Sequence, residues 1–137
     1  MNRGATRGKR RRKKMSSSTR EELSAAVVTI SDSSSRGERA DLSGPAVADA
    51  LKKHAFEVLA RTVVADDQAA IEKTLIEFSK RVRLVVTTGG TGIAPRDVTP
   101  EATRAVCEKV LEGVAERMRL EGSKKTPFAA LSRGLCG

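Results

Sequence analysis

Between residues 25 and 114, runs of continuous apolar side chains alternate with stretches that turn apolar every third or fourth position. Residues 25–31 read AAVVTIS, the pattern of a strand covered on both faces. Residues 32–42 are Ser-rich and too polar for a buried element. Ser43-Gly44-Pro45 then opens a helix: Ser43 can cap it, and proline is tolerated in a first turn. Val47, Ala50, Leu51 and Ala55 form its inner face. Residues 56–64 make a second strand. Asp66-Asp67 starts a helix in which Ile71, Leu75, Phe78 and Val82 follow one stripe. Residues 84–88, LVVTT, form a third buried strand, and residues 89–97 a loop. Thr99-Pro100 repeats the cap-plus-proline signal for a third helix, with Val106, Val110 and Val114 inward. The order βαβαβα predicts an α/β fold, a three-layer α/β/α sandwich around a mostly parallel sheet with right-handed crossovers.

Length and charge divide this picture in two. The 137 residues suit one domain. Of the 26 Lys and Arg residues, nine lie within residues 1–20, which hold no acid; the other 17 face 17 acids. Residues 21–137, the expected domain, are therefore formally neutral, and the net charge of +9 belongs to the N-terminal segment. That segment reads as a disordered basic tail. It is a nucleic-acid-binding or targeting arm, a solvated tail, or an extension upstream of a true start at Met15. Nothing beyond charge argues for nucleic acid.

Several function classes drop out. No apolar run approaches the roughly 18 residues of a membrane helix, and no apolar segment follows the basic residues as in a secretory signal. Cys107 and Cys136 suggest neither a disulfide framework nor metal-ligand spacing. His54 is the single histidine, which disfavours a His-based metal site or a Ser-His-Asp triad. With no Trp or Tyr, base-stacking platforms are largely excluded.

In an open parallel sheet, ligands bind beyond the carboxyl ends of the strands. The first strand is followed by Asp32 and then Asp41, the second by Asp66 and Asp67, the third by Gly89-Gly90-Thr91-Gly92 and Asp97. Several carboxylates and a glycine-rich loop should therefore converge on one edge. Consecutive glycines can adopt positive φ and turn their N–H groups toward an anion. Thr87, Thr88 and Thr91 add hydroxyls, and a helix N-terminus at Thr99-Pro100 favours an anion as well. The loop is neither a Walker A motif nor a dinucleotide fingerprint, and a plain turn accounts for it equally. The aspartates have three uses: holding Mg²⁺ against phosphates, orienting an attacking group, or, for Asp66 and Asp67, capping a helix.

The string from Thr87 to Ala102, TTGGTGIAPRDVTPEA, is far more specific than its parts. It closely resembles the signature of the molybdenum cofactor biosynthesis family, the MoaB/Mog type of molybdopterin adenylyltransferases and the gephyrin G domain. VTISD at residues 28–32, Asp41-Leu42-Ser43-Gly44-Pro45, Ala65-Asp66-Asp67-Gln68, Met118-Arg119 and residues 126–134 match further segments in the same order. Ala65 and Glu112 stand where the family pattern has proline. The resemblance implies a cytoplasmic, usually trimeric enzyme that transfers AMP from Mg-ATP to the terminal phosphate of molybdopterin, whose product then meets a molybdenum-insertion partner. It implies Asp66 and Asp97 as catalytic residues that bind Mg²⁺ and align phosphates. Gly89, Gly90, Thr91, Gly92 and Thr88 would cradle the pterin or its phosphate, with Ser31, Asp32 and Ser43 in the same pocket.

The family pattern continues past Ser132-Arg133-Gly134 into a strand, an N-L-P-G-x-P loop and a closing helix. The domain is thus expected to lack its last strand and helix, leaving a sheet edge unpaired and apolar surface uncovered. The alternative function is a non-catalytic molybdopterin-binding module or a partner subunit of the same family.

Overall fold

The computed structural model describes residues 23–137. The basic tail expected over residues 1–20, and the alternative start Met15, lie outside the described residues. The elements run β1 (Ser24–Ile30), α1 (Asp32–Ser35), α2 (Ser43–Lys53), β2 (Glu57–Val64), α3 (Gln68–Ser79), β3 (Leu84–Thr88), α4 (Thr99–Val106) and α5 (Glu112–Ser123), then a 3₁₀ turn (Pro127–Leu131). The strands form a parallel sheet in the order β2-β1-β3, as the alternation of strand and helix requires.

β1 is central, and all seven of its residues are buried. Its side chains alternate between two helical layers. Ala26, Val28 and Ile30 join Ile71, Leu75, Phe78, Val82 and Ala102 in one core cluster. The other face meets α2 through Gly44, which lies against Thr29. Val27 and Val28 are fully buried and contribute roughly 1.5–3 kcal/mol each. β2 alternates between exposed and half-buried positions.

Three expectations about packing need correction. On α2 the buried positions are Gly44 and Ala48, with Val47 and Leu51 half-buried and Ala50 exposed, and Ala55 lies exposed beyond its end; the helix comes against β1 at Gly44, which meets Thr29. β3 is half-buried rather than buried, since within the described residues it pairs only with β1. The third helix is two helices. The chain turns extended at Cys107 (φ −84°, ψ 129°), and the Leu111 N–H donates to the Cys136 carbonyl at 2.7 Å. Val110 is half-buried and Val114 exposed. His54 ends α2 exposed to solvent. No helix among the described residues is long and apolar enough to cross a membrane.

Candidate functional site

Strand register builds one side of the site. Ile30 pairs with Val64, and the Ser31 N–H extends the ladder to the Val64 carbonyl. Two residues beyond that pair stand Asp32 and Asp66, brought opposite one another. They bond reciprocally: the Asp32 N–H donates to Asp66 Oδ2 at 2.8 Å, and the Asp66 N–H to Asp32 Oδ1 at 3.0 Å. Helix capping is left to Asp67, whose carboxylate accepts from the Ala70 N–H. Asp66 is thereby free of that task. Arg96, from the loop after β3, forks onto Asp32 through Nε and Nη2 at 2.9 and 3.0 Å. This hydrogen-bonded guanidinium holds the Asp32 carboxyl below the usual range, against a smaller opposing effect of burial.

The glycine loop forms the other side. Thr88 pairs with Thr29, so Gly89 follows directly alongside Ile30. Gly89 has φ +95° and Gly90 φ +66°, a region that costs an L side chain energy and glycine almost none. A Cβ on Gly89 would overlap the Ile30 carbonyl oxygen. One on Gly90 would run into the Thr99 hydroxyl and stand 3.1 Å from Asp66 Oδ1; one on Gly92 would stand 2.8 Å from Asp97 Oδ2. The glycines thus bring the loop against both predicted catalytic aspartates. Asp97 Oδ2 also accepts from the Ala94 N–H at 3.0 Å, closing the loop on itself.

Thr99 does not cap α4. Val98 occupies that position without a side-chain bond. Buried Thr99 instead donates its hydroxyl to the Gly89 carbonyl at 2.9 Å, and its N–H to the Gly90 carbonyl at 3.1 Å. The helix terminus therefore braces the loop with its first amide, and Pro100 has none to offer a ligand.

Ser43 is likewise no cap. It is exposed in the first turn of α2. Asp41 takes that role, accepting from the Gly44 N–H at 2.9 Å and from the buried Thr29 hydroxyl at 2.9 Å. Ser31 caps α1, accepting from the Ser34 N–H at 3.2 Å. Ser31, Ser43 and Gly89 share a cleft of about 280 Å³ with Thr29, Asp41 and Arg39. Asp32, Asp66, Thr88, Gly90, Thr91, Gly92 and Asp97 lie outside its lining.

The donor set suits Mg²⁺. The ion takes one or two carboxylates and completes its shell with water and phosphate oxygens. Asp66 and Asp97 each set a carboxylate oxygen against a glycine of the loop, and among the described residues no three or more His, Cys, Asp or Glu side chains gather as a metal site. Arg96 and Arg133 are the two residues to which the sequence reading gave no role. Both lie inside segments that resemble the family pattern, but their partners, Asp32 for Arg96 and the Gly92 carbonyl for Arg133, are 64 and 41 positions away, so the sequence does not show what they bind.

The family model described as a probable molybdopterin binding domain matches residues 26–136. A molybdopterin adenylyltransferase of Helicobacter pylori strain J99 is 45% identical over 115 residues, covering 81% of this chain and 65% of the relative. That of Escherichia coli K12 is 43% identical over 112 residues, 78% of this chain and 57% of the relative. The chain thus spans less than two thirds of the length of these curated relatives. Among solved structures, the molybdopterin biosynthesis enzyme MoaB of Thermus thermophilus superposes with a TM-score of 0.78 at 45% identity, covering 84% of this chain and 74% of that one. The tungsten cofactor synthesizing protein MoaB of Pyrococcus furiosus gives 0.75 at 33% identity, covering 84% and 72%. The chain belongs to the molybdopterin-binding domain family.

Proposed function

We propose that this member of the molybdopterin-binding family is an adenylyltransferase that moves AMP from ATP to the terminal phosphate of molybdopterin. A phosphate oxygen of molybdopterin attacks the α-phosphorus of ATP. The new P–O bond forms as the bond to the β-phosphate oxygen breaks, and pyrophosphate leaves. No protein nucleophile is needed, so the chain's task is to position two anionic substrates and offset their charge.

One observation carries this reading: the glycine loop lies against Asp66 through Gly90 and against Asp97 through Gly92. The loop supplies closely approaching backbone for a pterin or phosphate. Thr88, Thr91, Ser31 and Ser43 offer hydroxyls around it. Asp66 and Asp97 would hold Mg²⁺, which would supply positive charge to offset that of the phosphates. Asp32 aligns Asp66 through the reciprocal bonds. The same reading makes the working form a cytoplasmic homotrimer whose product passes to a molybdenum-insertion protein.

The test is to mix the purified chain with molybdopterin, ATP and Mg²⁺ and to look for adenylylated pterin by mass spectrometry. Mg²⁺-dependent product supports the enzyme. A folded chain that yields none is a binding module instead.

A further inference from the structure

Arg133 lies in the segment after the 3₁₀ turn, 41 residues beyond Gly92. Its N–H donates to the Thr91 carbonyl at 2.8 Å. Its Nε donates to the Gly92 carbonyl at 2.7 Å, and Nη2 to the Asp97 carbonyl at 2.8 Å. Nη1 binds the Glu101 carboxylate at the start of α4. That bond holds the Glu101 carboxyl below its ordinary range. Each nitrogen of the guanidinium is thus committed to a different partner, and the carbonyls span both ends of the stretch from Thr91 to Asp97. The segment carrying Arg133 is itself tied to α5, where Arg119 Nη1 donates to the Gly134 carbonyl at 2.9 Å.

We propose that Arg133 is a positioning residue that holds the loop at residues 91–97 in its ligand-ready form without touching the ligand. This deepens the adenylyltransferase reading and rests on it. The loop residues around Arg133 are exposed or half-buried. Removing the guanidinium therefore returns their carbonyls to water and frees the loop rather than unfolding the sheet. A loop that is ordered only part of the time lowers apparent affinity by the ordered fraction, while turnover at saturation survives. A general folding defect does the opposite: it removes active molecules, lowering kcat at unchanged KM. Lysine carries a point charge without the planar fork and can replace one of the guanidinium's bonds.

The experiment uses Arg133→Ala and Arg133→Lys in the full chain. Amide hydrogen exchange is followed at Asp97 and Thr99, whose N–H groups donate to the Ala94 and Gly90 carbonyls. KM for molybdopterin and kcat are measured beside it. In Arg133→Ala the two amides exchange about tenfold faster, while those of Val27 and Val28 in β1 are unchanged. KM rises about tenfold with kcat within about twofold, and Arg133→Lys falls between. Unchanged exchange at Asp97 and Thr99, or a lower kcat at unchanged KM, overturns the proposal. Should Arg133→Ala not fold, Arg133→Lys decides by the same criteria. If the wild-type chain transfers no AMP, the proposed function fails, and exchange at the two amides alone decides the role of Arg133.

Discussion

The two sides of the site are built differently. The aspartate side is made by neighbours: Asp32 and Asp66 end adjacent parallel strands, and two backbone-to-carboxylate bonds close the pair. The glycine side is made by side chains that reach across to loop carbonyls: Thr99 from the start of α4, ten positions on from Gly89, and Arg133 from the segment after the 3₁₀ turn hold it. A side set by register has few ways to move. A side held by separate side-chain hydrogen bonds, those of Arg133 at exposed positions, can be released one bond at a time. The charge that the proposed reaction needs has one foot on each side, Asp66 and Asp97.

The strongest way to break the comparison is to remove that charge. Asp66→Asn and Asp97→Asn keep the side-chain shape, and each should lower AMP transfer by about 10²–10³-fold, as loss of one preorganised charge-stabilising group does elsewhere. Steady-state kinetics on the folded variants checks this. Wild-type rates in either variant would remove that aspartate from the mechanism.

Next comes Gly89→Ala, which forces a side chain into positive φ and into the Ile30 backbone. It should cost about 2–4 kcal/mol in urea denaturation. Gly92→Ala meets only the Asp97 side-chain tip and should cost much less stability. Equal losses would mean that the loop is not pinned at Gly89.

Asp41→Ala sharpens the comparison from below the site. It removes the bonds to the Gly44 N–H and the Thr29 hydroxyl, for an expected cost of about 1–2 kcal/mol in the same assay. Because Asp41 also lines the cleft it shares with Ser31, Ser43 and Gly89, KM should rise while kcat is retained.

The smallest effect belongs to Arg96→Ala. The Asp32–Asp66 bonds remain, so the pair should persist while the Asp32 pKa rises toward the ordinary carboxylate range in an NMR titration. The sign follows from the direction of the shift. A carboxyl held low in the fold contributes stability above its unfolded pKa, and loses it as pH falls through the folded value. The contribution from Arg96 should therefore be present near neutrality and fade in acid. An Asp32 titration that does not respond to Arg96→Ala would show that the fork is not formed in solution.

Much of this was legible along the chain, for a local reason. A continuous apolar run marked β1, which is covered on both faces, and helical periodicity marked the stripe Ile71, Leu75, Phe78 and Val82. The apolar β3 was read as buried, yet its exposure depends on which strands flank it. Ser43 and Thr99 had the residue types of caps, but Asp41 reached the α2 amide first, and Thr99 was drawn to the Gly89 carbonyl. These choices are competitions between nearby donors and acceptors, and residue type alone does not rank them.

Local propensity and hydrophobic spacing were enough to establish that strands alternate with helices and that carboxylates and glycines follow the strand ends, while the string at residues 87–102 pointed to the family by its resemblance to a known signature. The folded arrangement was needed to learn that Asp32 faces Asp66, that the loop lies against Asp66 and Asp97, and that Arg96 and Arg133 serve the site. The contact of Gly92 with Asp97 is set by the loop's own turn, and the rest depend on strand register and on hydrogen bonds between residues more than 30 positions apart, a separation over which local pattern does not say who pairs with whom.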